Sequence, residues 1–479
     1  MFGARQEQQE RSPSTLAPRS PPRHHAPMTP PPLRPEPVHF AAKDRPLRRD
    51  VGWLGALLGE LLQDLCPDGL YDSVEAARLA ARHRRKGDAA AGEELAALLG
   101  ALSTDRTLEL VRAFGAYFGV VNTAEQVHRM RRRIDYRRAG TTQPASLRAA
   151  VEELHRRGTS LEELRAALDA VVVEPVFTAH PTETVRRTML KKEQRLARHL
   201  VRRFQADDLD PVALAHLEDA IALEIASAWQ TEEQLPGRPT VGEEVEHVLF
   251  FLSDVLFRIV PAVHEELEQA IAEVYGSALP VERPLLRFAS WVGGDMDGNP
   301  NVGAPTMRAA LARHLEMALR RYKEELRGLH EHLSHSTTRV AVDDAVLERV
   351  ATYRERFADA YVAIPARYGQ MPYRQLLWLM TERLERKGRG EPGGYGPPEE
   401  FREDLVRIAD SLARTDGARS GLALVRRTLR RLDAFGFHLA ALDVRQDAET
   451  HRRVVGELLG DPDFAERSPA ERTTRLATA

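Results

Sequence analysis

Apolar residues recur three and four positions apart along most of the chain, beginning with Trp53, Leu54, Leu57, Leu58, Leu61, Leu62 and Leu65. That spacing puts them on one face of a helix, which Pro67 should end. The same periodicity predicts helices over about residues 75–101, 107–117, 123–133, 145–169, 184–205, 211–229, 241–275, 305–335, 343–360, 372–387, 399–414 and 419–434. Ser160 followed by Glu163 has the form of a capping box at a helix start. Three short segments break the rhythm: Val171 to Thr178 is rich in β-branched residues, Leu285 to Val292 is apolar and aromatic, and Phe437 to Val444 is apolar with a polar finish. They read as buried strands. Strands separated by long helical stretches point to a parallel sheet or barrel with its connections outside. The expected fold is therefore mainly α-helical with an incomplete parallel (β/α)8-type barrel, about three of whose strands lie in this chain. In such barrels the carboxyl ends of the strands assemble the active site, which makes the polar clusters after each strand the candidates.

Composition narrows the class. The chain has 479 residues, 43% of them hydrophobic and 29% charged, enough to bury a substantial core and unlike a fibre or a wholly disordered protein. Lys+Arg 68 against Asp+Glu 71 gives a net charge of -3, so no global positive field draws the chain to nucleic acid or anionic lipid. Any anion site must be local. The single cysteine, Cys66, cannot form an internal disulfide and fits a reducing compartment. No run approaches 18 uninterrupted apolar residues and no signal-peptide core is evident, so the cytoplasm is expected and a membrane is not. Residues 1–50 are rich in proline and arginine and read as a disordered extension. Residues 51–170 read as an N-terminal helical region, and 171–479 as the partial barrel with long helical insertions.

The first cluster is VFTAHPTETVRRT at 176–188. Pro181 biases His180 away from helical geometry, so the histidine should sit at a strand-to-helix corner, with a helix opening around Thr182 to Thr184. Amides at that start, with Arg186 and Arg187, would favour an anion, and a histidine beside it suits proton transfer near neutral pH. The plain alternative is a corner histidine with solvated arginines. The second is WVGGDMDGNPNV at 291–302. Gly293, Gly294 and Gly298 permit tight backbone, Asp295 and Asp297 sit two apart, and Trp291 offers an apolar wall. An EF-hand calcium loop fails here, because Pro300 and Thr306 replace its glycine and closing glutamate. Either a substrate pocket or a glycine turn whose aspartates cap the helix after Pro305 accounts for the pattern. The third is LAALDVRQD at 439–447, where period-two alternation would put Asp443, Arg445 and Asp447 on one face. Arg445 could grip a carboxylate or phosphate, or close an internal salt bridge. Gly388, Gly390 and Gly393 lack the strand context of a dinucleotide loop, and His330, His332 and His335 lack a zinc-binding arrangement.

In this order, TAHPTE at 178–183, GGDMDGNPNV at 293–302 and LDVRQD at 442–447 resemble the phosphoenolpyruvate carboxylase family, with supporting likenesses in VNTAEQVHR, AWQTEE and PYR. The resemblance runs from about residue 51 to the end. It implies conversion of phosphoenolpyruvate and bicarbonate to oxaloacetate and phosphate, with Mg2+ or Mn2+ as cofactor and a homotetramer as the assembly. His180 would be the proton-transfer residue, Arg445 would bind phosphate or carboxyphosphate, and Trp291 would line the pocket at the substrate methylene. Arg186 and Arg187 would lie on the anion, with Gly293, Gly294, Asp295, Asp297 and Asn299 in a loop beside it. Met296 stands where many relatives have arginine. The family's glycine- and arginine-rich loop and its carboxylate metal ligands find no match in the chain, so a fragment holding half of the active site is expected. Two other functions fit parts of the pattern: a phosphotransferase in which His180 is itself phosphorylated, and a helical scaffold without catalysis.

Overall fold

A computed structural model describes residues 41–66, 68–178, 185–205, 209–232, 237, 239–297 and 299–479. His180 and Gly298 fall outside the described residues, as does all but the last part of the Pro-rich extension. Two compact units form, one reaching to Gly119 and the other running from Val120 to Ala479.

The first unit contains α1 (Arg45–Leu65), α2 (Leu70–Arg85), α3 (Ala89–Gly100) and the start of α4 (Thr104–Arg138). α1 begins eight residues before the apolar periodicity does, because its first turn holds Pro46, a residue suited to that position, and solvated arginines. The single helix expected over 75–101 is two, divided at Gly87, whose φ of 96° no helix accommodates, and at Asp88, which caps α3 by accepting from the Ala91 amide. Conversely, the two helices expected over 107–133 are one, since Gly115, Gly119 and Asn122 weaken a helix without ending it.

The second unit continues with α5 (Leu147–Arg156), α6 (Leu161–Ala170), α7 (Arg187–Phe204), α8 (Pro211–Trp229), α9 (Val241–Phe250), α10 (Phe257–Tyr275) and α11 (Ala304–His332). It ends with α12 (Asp344–Arg356), α13 (Ala358–Val362), α14 (Pro372–Arg389), α15 (Pro398–Arg414), α16 (Leu422–Phe435), α17 (Ala448–Leu459) and α18 (Pro469–Ala477). The Ser160 and Glu163 capping box is present and opens α6, which Gly158 separates from α5. α9 and α10 join through a π-helical turn over Phe251–Leu256. Pro261, inside α10, has no amide to give the carbonyl of Phe257, and Arg431 of α16 donates its Nε there instead, at 2.8 Å. The run Val241–Tyr275 is long and apolar enough to cross a membrane, but Val245, Val248, Leu249, Leu252, Phe257 and Val260 from it lie in the main core with residues of α11, α14, α15 and α16.

Three strands form a parallel sheet in the order β1 (Val176–Phe177), β2 (Ala289–Ser290), β3 (Ala441–Leu442). Val176, Ala289 and Ala441 align across it, as do Phe177, Ser290 and Leu442. Isolated bridges extend the pairing from Val173 to Leu286 at one end and from Asp295 to Arg445 at the other. All three strands lie within the segments predicted for them, but only β2 is fully buried. β1 has a hydrogen-bonded neighbour on one side only among the described residues, which leaves Val171, Val172, Val173 and Val176 exposed.

His314 of α11 is 1% exposed, and its Nδ1 lies 2.8 Å from the carbonyl oxygen of His438. Burial holds its pKa below the ordinary imidazole value. The unfolded chain therefore takes up a proton near pH 6.5 that the folded one refuses, so stability present at neutral pH falls on acidification. Between pH 7.5 and 5.5 the unfolding free energy from urea titration should drop, by up to about 1.4 kcal/mol per pH unit for this residue. His314→Gln should flatten that dependence.

Candidate active site

The parallel register brings the second and third clusters together at the carboxyl ends of their strands, where Asp295 bridges to Arg445. After Ser290 the chain cannot continue straight. The amides of Gly294 and Asp295 both return to the carbonyl of Trp291, at 2.9 Å each. Gly293 adopts φ 90°, and a Cβ there would stand 2.8 Å from that of Ala310. Gly294 is needed for a different reason: a Cβ would overlap the backbone carbonyl of Asp443. With no side chain in the way, the second and third clusters join through backbone bonds, Arg445 amide to Gly294 carbonyl at 2.9 Å and Met296 amide to Arg445 carbonyl at 2.8 Å.

This seam fixes the Arg445 side chain. Its guanidinium carbon lies over the Trp291 ring, 3.8 Å from the centroid, and Nη1 donates to Asp295 Oδ2 at 3.1 Å. Stacking and ion pairing together restrict a side chain that is still 40% exposed, so the fork is oriented yet open to a ligand. The other carboxylate oxygen, Asp295 Oδ1, is buried and has no hydrogen-bond partner among the described residues.

The remaining predicted residues separate. Asp447 does not share the Arg445 face; it caps α17, accepting from the amides of Glu449 and Thr450 at 3.0 and 2.9 Å, because the extended segment ends before it. The expectation that Asp295 and Asp297 cap the following helix is also corrected. Gly303 is the N-cap of α11 and no side chain caps it, Asp295 having turned to Arg445. Asp297 is exposed, and Asn299 closes a turn by accepting from the Asn301 amide at 3.0 Å.

At the first cluster, the helix expected to open at 182–184 opens at Arg187, with Val185 held by His247, whose Nδ1 lies 3.3 Å from its carbonyl oxygen. Arg186 is the N-cap and makes no side-chain cap bond, and its Nε is buried without a hydrogen-bond partner among the described residues. Arg187 is committed to protein carboxylates: Nη2 donates to Asp254 at 2.9 Å, and Nη1 lies 3.8 Å from Glu246. Glu246 also pairs with Arg313, and the two guanidinium groups, Arg313 foremost, hold its carboxyl below the usual range. α9 thus ties the first cluster to the second, with Glu246 reaching Arg187 and Val245 lying under Gly293. Glu246 and Asp254 were not singled out from sequence. Their signal is two carboxylates eight positions apart on either side of the apolar stretch at residues 248–252, the second presented by the π turn.

Among the described residues, no three His, Cys, Asp or Glu side chains converge as a metal site requires.

The fold and the seam together define a mainly helical protein that presents an oriented arginine at the carboxyl ends of a small parallel sheet. The family profile described as phosphoenolpyruvate carboxylase matches residues 47–478, and the chain belongs to that family. It is 44% identical over 443 residues to a phosphoenolpyruvate carboxylase of Xanthomonas oryzae pv. oryzae, covering 91% of this chain and 48% of the relative. Against that of Xanthomonas campestris pv. campestris it is 45% identical over 444 residues, with the same shares covered. For Ralstonia nicotianae the figures are 35% over 466 residues, 91% of this chain and 46% of the relative. The chain spans about half the length of the curated relatives it matches.

Proposed function

We propose that this chain supplies part of the active site of a phosphoenolpyruvate carboxylase, a cytoplasmic carboxy-lyase converting phosphoenolpyruvate and bicarbonate to oxaloacetate and phosphate. The observation that carries this reading is the Arg445 guanidinium, aligned by Trp291 and Asp295 at the carboxyl ends of adjacent strands within a chain of this family. A short-lived anionic intermediate needs such a preset cation, since no reorganisation is then required when charge develops. In the proposed reaction, bicarbonate attacks phosphorus to form carboxyphosphate and the enolate of pyruvate. Arg445 holds the phosphoryl or carboxyphosphate oxygens, Trp291 walls the methylene end, and His180 assists release of the carbon dioxide that the enolate captures. Arg186 adds positive charge, whereas Arg187 serves through its ion pairs rather than as a free anion ligand.

The same proposal takes the three strands as part of a (β/α)8-type barrel beginning near residue 171, whose further strands would cover the exposed valines of β1. A homotetramer and a divalent cation, Mg2+ or Mn2+, belong to it as well. The described residues offer no site that fits the cation, and no step here is routed through it.

The test joins the chain to the remaining length of the Xanthomonas oryzae relative and follows bicarbonate-dependent oxaloacetate formation. Arg445→Ala should lower kcat/KM by about 30- to 1000-fold, the equivalent of ~2–4 kcal/mol of transition-state charge stabilisation. Unchanged turnover would remove Arg445 from the site. Pyruvate formation without a bicarbonate requirement would favour the phosphotransferase.

A further inference from the structure

A cavity lies at the other end of the sheet. Glu174 precedes β1, Arg287 precedes β2 and His438 precedes β3, so these residues gather at the amino ends of the parallel strands, away from Arg445. With the start of α15 and the end of α16 they enclose about 540 Å³, within the range of small-molecule sites. Its charges do not cancel one another. Arg402 pairs with Asp433 at 2.7 Å, the one ion pair in the lining among the described residues. Glu174, Glu282 and Glu399 pair with no cation there, and Arg287 with no carboxylate. Arg283 gives its Nη1 to the backbone carbonyl of Asp169 at 3.3 Å, which leaves its charge uncompensated as well. Burial, and then the charge of Arg287, hold His438 below the ordinary imidazole pKa, so a neutral ring stands beside an unpaired guanidinium. Phe288, Leu432 and Pro398 add an apolar wall.

Cations and carboxylates that line one cavity without touching leave between them room for a molecule carrying both charges. We propose that the cavity binds a short zwitterion with an apolar body, of the size of an unblocked dipeptide. Its carboxylate lies on Arg287 with the His438 ring as a second donor, its ammonium on the glutamates, and its side chains on Phe288 and Leu432. A plain anion would meet three unpaired carboxylates as like charges, and a plain cation would meet two arginines. A free amino acid would leave most of the volume empty. The site is independent of Arg445 and of the carboxylation proposed there.

Calorimetric titration of the full chain at pH 7.5 with L-leucyl-L-leucine tests it, beside two analogues with the same body: N-acetyl-leucyl-leucine, which lacks the ammonium, and leucyl-leucinamide, which lacks the carboxylate. The dipeptide should bind with a Kd of about 1 mM or tighter. Each blocked form should bind at least about 10-fold more weakly, because each forfeits hydrogen bonds to charged groups. Absence of saturable binding, or a blocked form that comes closer than that to the dipeptide, overturns the proposal without recourse to any variant. Arg287→Ala removes an exposed side chain with no ion pair, so the variant should fold and should lose about 10-fold or more in dipeptide affinity. An unchanged affinity there overturns the placement. Arg445→Ala should leave dipeptide binding as it is; loss of binding in that variant would put the ligand at the carboxyl ends of the strands and overturn the proposal too.

Discussion

Gly294→Ala should destabilise the second unit by ~3 kcal/mol or more and separate the second and third clusters. The new methyl group would stand 2.3 Å from the Asp443 carbonyl oxygen, with Leu442 Cγ only 3.1 Å away. Neither obstacle is the free end of a side chain. Backbone must move, and the nearest backbone is the seam that aligns Arg445, through the Arg445 amide on Gly294 and the Met296 amide on the Arg445 carbonyl. Overpacking of this kind typically destabilises by ~1–3 kcal/mol in a yielding core and by more where main chain opposes main chain. Urea unfolding measures the loss. Gly303→Ala is the control without a close approach, because Gly303 is extended and its nearest obstacle is Pro305 Cδ at 3.9 Å, so only the ~0.5–1 kcal/mol by which alanine is poorer than glycine at an N-cap is expected there. Equal effects at the two positions would show that the close approach is not what Gly294 provides.

Asp404→Ala should be comparably severe, at ~3–5 kcal/mol, for an electrostatic reason. Asp404 is fully buried among α12, α14 and α15, where its Oδ2 accepts from the hydroxyls of Tyr353 and Tyr395 at 2.6 and 2.7 Å. Arg349 Nε lies 3.2 Å from Oδ1, and Arg383, itself 3% exposed, stacks its guanidinium 3.8 Å from the Tyr395 ring centroid. Burial pushes the Asp404 carboxyl above its ordinary pKa against the pull of these donors. Alanine removes the shared acceptor and leaves two hydroxyls and part of two guanidinium groups unsatisfied in the core. In a Tyr353→Phe, Tyr395→Phe background the same substitution should lose ~1–3 kcal/mol of its effect, since the orphaned hydroxyls are gone. Full additivity would argue against a shared network.

Helical periodicity carries most of the architecture. The leucine face of α1 and the Ser160 capping box are local signals, fixed by residues within one or two turns, and both are present. The three strands were legible as β-branched and apolar interruptions. Partners distant along the chain were not legible. Nothing near Asp295 announces Arg445, 150 residues later, and nothing near Arg187 announces Asp254. Period-two alternation misplaced Asp447 because it assumes the strand continues, whereas pairing ends at Arg445 and the aspartate turns to helix capping. The extent of α4 was hidden by glycines that lower helix propensity but, with no proline, do not override cooperative extension.

The proline in α10 has a consequence for synthesis. The carbonyl of Phe257 is completed by a guanidinium 174 positions downstream, so the ribosome exposes the acceptor well before it delivers the donor. At ~5–20 residues per second that interval is about 10–35 s. Throughout it the helix emerging from the exit tunnel has a defect that no local segment repairs, and the nascent chain acquires its finished core only as α16 arrives.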